Sequence, residues 1–183
     1  AERLKKWPHL PLIEGNKVIN PKVTGKDQEQ ITTQLTERSV RFIEKNKDKP
    51  FFLYVPHPMV HVPLYVSDKF KGKSKAGLFG DVMMEVDWSV GQILETLRKH
   101  KLDKNTLVIF TSDNGPNVGD NEGTNQESGG LRGKKAKIWE GGHRVPFIIF
   151  RKQHFQGGTI NRSLFSLTDL FSTLAALVSE ELK

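Results

Sequence analysis

The chain has 183 residues, of which 36% are hydrophobic and 27% charged, and Lys plus Arg exceed Asp plus Glu by 28 − 21 = 7. This balance describes a globular chain able to bury a core. It excludes intrinsic disorder, and no apolar run approaches the roughly 20 residues of a membrane helix. The absence of cysteine excludes disulfides, thiolate metal sites and a cysteine nucleophile within these residues.

To about Thr24 the sequence is rich in Lys and Pro without a sustained period, and it reads as an irregular arm, residues 1–24. Asp27 and Gln30 resemble a helix-start pair, and Ile31, Leu35, Phe42 and Ile43 share one helical face before Pro50 ends the helix. Phe51–Val55 is an all-apolar run that reads as a buried strand. The long loop over 56–75, with Pro56, Pro58 and Pro63, has a length usual for functional loops. Met83, Val86, Val90, Ile93, Leu94 and Leu97 space a second helix with a basic C-terminus. Thr106–Phe110 and Phe147–Phe150 read as strands apolar on both faces, and a last helix is predicted over 164–178.

Helices alternating with all-apolar strands predict an α/β sandwich with a mostly parallel central sheet, incomplete in this chain. No repeat or low-complexity linker divides it. The expectation is one partial domain, with residues 25–183 as its α/β core. The sequence begins at Ala1 rather than at a methionine, so the lack of an export signal carries little weight.

In such folds ligands gather beyond the carboxyl ends of strands. Asp113 and Asn114 follow the Thr106–Phe110 strand and offer two hard oxygen donors suited to Ca²⁺ or Mg²⁺. Asp-Asn-Gly-Pro is also an ordinary turn sequence. His61 is a candidate acid or anion contact, with a loop histidine bonded to backbone as the alternative, and His57 carries the same two readings. Lys135 can neutralise an anion from a glycine-flanked loop, or simply face water. Asp87 reads as a structural partner for a base such as Arg144, and Trp139 as a packing residue. The lysines are scattered without interleaved aromatics, so no nucleic-acid partner is expected.

The order of longer blocks is more specific. Phe51-Phe52-Leu53-Tyr54, His61-Val62-Pro63-Leu64, Gly80 to Asp87, and Asn105 to Pro116 resemble the second half of the sulfatase catalytic domain. So do Leu131-Arg132-Gly133-Lys134-Lys135, Trp139 to Pro146, and Thr168 to Leu174. The resemblance implies an alkaline-phosphatase-like fold that hydrolyses sulfate esters around a divalent cation, usually Ca²⁺. By it, Asp113 and Asn114 match metal ligands, Lys135 a sulfate-contacting lysine, and His61 the histidine on the leaving-group side. The implied substrate is a small sulfate ester or a sulfated sugar, and the implied location exported, periplasmic or lysosomal.

The departures are equally informative. The family's formylglycine, made in a Cys/Ser-x-Pro-x-Arg motif upstream of these blocks, has no counterpart here, nor do the upstream aspartates of the metal shell. Lys134 and Lys137 replace small or hydroxyl residues, Arg151 to His154 stands where Trp-Pro-Gly is usual, and Ser172 replaces a proline. The loop 117–130 fits the pattern poorly. Turnover by these 183 residues alone is therefore not expected. A phosphate or phosphonate ester hydrolase of the same superfamily, and a non-catalytic binder of an anionic partner, are the other readings.

Overall fold

A computed structural model describes residues 9–117 and 128–178, so most of the 117–130 loop lies outside the described residues. The chain forms two compact units, the first ending at Lys152 and the second beginning at Gln153. Among the described residues no helix is long and apolar enough to cross a membrane.

The segment expected to be irregular contains a hairpin. Strand β1 (Leu12–Glu14) pairs antiparallel with β2 (Lys17–Asn20), and Glu14 faces Lys17 across a two-residue turn. Gly15 occupies the first turn position with φ +58°, as hairpin turns that begin on glycine require. Arg38 grips the Glu14 carboxylate with its two terminal guanidinium nitrogens, joining the hairpin to the next helix.

Helix α1 (Gly25–Asn46) starts one residue after its cap. Thr24 accepts the Asp27 N–H at 3.4 Å, and the Asp27 carboxylate accepts the Thr24 N–H at 2.7 Å, closing a reciprocal capping box. The expected start pair was Asp27 with Gln30; the operative pair is Thr24 with Asp27. Helix α2 (Gly77–Lys99) ends in a Schellman motif. Leu102 N–H donates to Leu97 O at 2.8 Å, Lys101 N–H donates to Arg98 O at 3.0 Å, and Lys101 is left-handed at φ +59°.

The two helices meet along a polar seam. The buried residues of α1 are Thr32, Thr36, Ser39 and Ile43, and Glu85 and Ser89 of α2 meet this helix. Thr36 and Ser89 hydroxyls lie 2.6 Å apart, and Thr33 donates to Glu85 at 2.9 Å. Near the far end Lys99 reaches Glu44 at 3.6 Å. These pairs advance together along both chains, so α1 and α2 run in the same direction. The intervening residues must travel back, and they supply the apolar cluster of Met59, Leu64, Val66 and Phe70 packed on Val82 and Val86.

Part of that return segment is Phe51–Val55. It belongs to no strand ladder among the described residues and alternates half-buried Phe51, Leu53 and Val55 with exposed Phe52 (74%) and Tyr54 (75%). The period of two is that of a strand, but full burial would need cover on its second face.

Strand β3 (Val108–Thr111) pairs with β4 (Phe147–Phe150) in the register Val108↔Phe150 to Thr111↔Phe147. The pairing is antiparallel, as is β1–β2. The α/β class holds, and the ladders within the described residues are antiparallel where parallel ones were expected. Arg151 donates to Asn105 at 2.7 Å and Lys152 to Asp103 at 2.9 Å, bracing the entry of β3 against the exit of β4. A four-residue helix, α3 (Glu140–His143), precedes β4. In the second unit, α4 (Asp169–Leu177) begins where the Asp169 carboxylate accepts the Ser166 N–H at 2.9 Å. It is shorter than the 164–178 expected.

Candidate functional site

Strand β3 delivers Ser112 to Pro116 beyond its carboxyl end, and backbone bonds lock that run to the loop before β4. Gly115 N–H donates to Gly142 O at 3.0 Å, and Lys135 N–H donates to Pro116 O at 2.8 Å. The approach is so close that a Cβ on Gly115 would sit 2.1 Å from Gly141 O. Within the loop, Gly141 N–H donates to Arg132 O at 2.8 Å and Lys137 N–H to Lys134 O at 3.0 Å. The Arg132 guanidinium lies 3.5 Å above the Trp139 ring, closing the loop on its outer side. Asp113, Asn114 and Lys135 are thereby gathered on one cluster of interlocked turns.

The Asp113 carboxylate is exposed and, among the described residues, takes only a long 3.5 Å bond from the Ser112 hydroxyl. Asn114 Nδ2 donates to Gly115 O at 2.9 Å. A carbonyl can only accept, so this bond fixes the amide orientation and leaves Oδ1 available. A carboxylate oxygen and an amide oxygen fit as part of the six to eight oxygen ligands that Ca²⁺ takes. Among the described residues no group of three or more His, Cys, Asp or Glu forms a complete site.

His61 is exposed on the return segment. Its Nδ1 lies 2.6 Å from Val62 O, which requires Nδ1 to carry the proton and turns Nε2 outward. Among the described residues, no hydrogen bond or ion pair ties His61 to the Asp113–Lys135 cluster. His57 is different: its Nε2 is 3.4 Å from Ser89 Oγ, its Nδ1 is buried without a partner among the described residues, and burial holds its pKa below the ordinary value. It belongs to the helical seam.

Asp87 is exposed and Arg144 pairs with Glu140 at 3.1 Å, so the expected Asp87–Arg144 pair does not form. The buried carboxylates of α2 are Asp81 (3% exposed) and Glu85 (1%), which the sequence reading passed over. A signal existed: both lie one residue before a core valine, four apart on one helical face.

The Sulfatase family model matches residues 4–180. The chain is 39% identical over 162 residues to an N-acetylgalactosamine-6-O-sulfatase of Bacteroides thetaiotaomicron, covering 84% of this chain and 32% of that protein. It is 39% identical over 158 residues to a human steryl-sulfatase, covering 84% of this chain and 27% of the relative. Among solved structures, the PsFucS1 sulfatase of Pseudoalteromonas sp. superposes with a TM-score of 0.84 at 35% identity, covering 90% of this chain and 33% of that one. The chain thus spans about a third or less of the length of these relatives. Over nearly all of its residues, the chain belongs to the sulfatase family.

Proposed function

We propose that the protein hydrolyses sulfate esters, of sugars or of small molecules, and that Asp113, Asn114, Lys135 and His61 are its contribution to the site. The observation that carries this reading is the Lys135 N–H to Pro116 O bond of 2.8 Å, which ties a cation to the loop that bears two oxygen donors. The Lys135 ammonium neutralises charge on the sulfate oxygens, and a cation fixed before reaction stabilises the transition state without reorganisation. His61, with Nδ1 committed to Val62 O, offers Nε2; in the imidazolium form Nε2–H donates to the departing oxygen. Asp113 and Asn114 Oδ1 would hold a divalent cation, which when bound supplies Lewis-acid polarisation and charge shielding. The nucleophile, a formylglycine by family, would come from residues preceding this chain.

The sulfated-sugar option draws support from relatives named for such substrates, among them the N-acetylgalactosamine-6-O-sulfatase and a structure described in complex with a neocarrahexaose, which this chain matches at a TM-score of 0.81 and 28% identity. The test is hydrolysis of an aryl sulfate by the full-length protein expressed with formylglycine maturation. Turnover is expected, with loss on Lys135→Ala of on the order of 10²–10³ in kcat. The 183-residue chain alone should be silent. Turnover by the isolated chain, or indifference of the full protein to Lys135→Ala, contradicts the reading.

A further inference from the structure

The α2 carboxylates that the hydrolytic reading does not use both point at the backbone of the segment that bears His61. Asp81 Oδ2 accepts the Gly72 N–H at 2.7 Å and Oδ1 accepts the Ser74 N–H at 2.6 Å. One turn further on, Glu85 Oε2 accepts the Ser67 N–H at 3.0 Å while Oε1 takes the Thr33 hydroxyl at 2.9 Å. Neither has a Lys, Arg or His within ion-pair distance among the described residues. Burying a carboxylate without a counter-ion is unfavourable unless its lone pairs are taken by donors. An apolar side chain in place of Glu85 would fill the seam as well. What the carboxylates add is a fixed path for the return segment. Buried Met59 and Leu64 flank His61, and Val66 and Phe70 continue the same packing down to the clamped amides.

We propose that Asp81 and Glu85 are positioning residues that hold the 56–76 segment so that His61 stands in one orientation. The proposal rests on the reading of His61 as a sulfate-ester contact. The two carboxylates differ in what they tolerate. Asp81 gives both oxygens to backbone N–H groups, so an amide there turns an NH₂ against an N–H. Glu85 faces one N–H and one hydroxyl, and the hydroxyl can rotate to accept from an amide.

The experiment is hydrogen exchange by mass spectrometry on the full-length protein, with aryl-sulfate kinetics on the same samples. Asp81→Asn is expected to speed exchange across peptides covering 56–76. It should lower kcat by on the order of ten- to a hundredfold, as a misplaced group does, with KM little changed. Glu85→Gln should leave both readouts near wild type, and Glu85→Leu should match Asp81→Asn. In a His61→Ala background, Asp81→Asn should cost less than about twofold more, because it acts through that histidine.

Unchanged exchange in Asp81→Asn, or a full additive loss in the His61→Ala background, overturns the proposal. Should Asp81→Asn not fold, Glu85→Leu, which keeps the volume, carries the same two expectations. If His61→Ala leaves turnover intact, the reading of His61 itself fails, and with it the positioning role, whatever exchange shows of the clamp. Faster exchange together with an intact His61→Ala enzyme therefore marks failure of that reading, not of the clamp.

Discussion

The Pro116 carbonyl accepts the backbone N–H of Lys135 at 2.8 Å, so the distance between the Asp113–Asn114 turn and the Lys135 turn is set by main chain. Side-chain substitutions at 113, 114 or 135 should leave the loops in place. Substitutions at the glycines that permit the approach should not.

Gly115→Ala tests this directly. Its Cβ would meet Gly141 O at 2.1 Å, a backbone atom with little room to yield. Unfolding free energy should fall by about 1–3 kcal/mol, the usual cost of overpacking. The same change at Gly91, inside α2 with nothing within 4 Å, should raise it by up to about 1 kcal/mol through helix propensity. Denaturant midpoints of the two variants should move in opposite directions.

His57 should impose an acid limb on stability. Burial lowers its pKa in the folded state, so the unfolded chain takes up a proton first as pH falls below the ordinary value of about 6.5. Its contribution is therefore fully present above that pH and is lost as pH falls toward the folded value. Melting temperature followed from pH 7.5 down to pH 5 should decline less steeply in His57→Gln than in wild type.

Lys101 holds a left-handed conformation at φ +59° in the Schellman turn that ends α2. A non-glycine residue pays roughly 1–2 kcal/mol there, partly offset by the greater freedom of glycine in the unfolded chain. Lys101→Gly should stabilise by about 0.5–1 kcal/mol in chemical denaturation. A loss of stability would mean that the Lys101 side chain contributes more than its backbone costs.

Thr24→Ala removes the acceptor for the Asp27 N–H and opens the capping box of α1. Stability should drop by about 1 kcal/mol. Thr24→Ser, which keeps the hydroxyl, should cost little by the same measurement.

Residues with a strong period were legible. Helices α1 and α2 follow from their spacing, and β4 lies where its four apolar residues placed it. The hairpin was missed although Gly15-Asn16 between Leu12–Glu14 and Lys17–Asn20 is a two-residue turn signal, because its strands are short and largely exposed. Strand direction was not legible: Val108–Phe110 and Phe147–Phe150 are apolar throughout, and such runs carry no mark of parallel or antiparallel pairing. At the site, Asp113, Asn114 and Lys135 could be singled out by type and order. The bonds that unite their loops run between main-chain atoms and have no side-chain signature. The role of Asp81 and Glu85 is hard to read because their partners are amides 7 to 18 residues away and, for Glu85, the Thr33 hydroxyl of another helix.

The hydroxyl seam between α1 and α2 acts as a register key. A slide of one turn would separate Thr36 from Ser89 and Thr33 from Glu85 together, whereas a seam of methylenes alone could re-pack after such a slip. Glu85 also holds the Ser67 amide, so the same carboxylate indexes the helices to each other and the return segment to both. With Glu85 in place, loss of helix register and release of the Ser67 amide should therefore occur together.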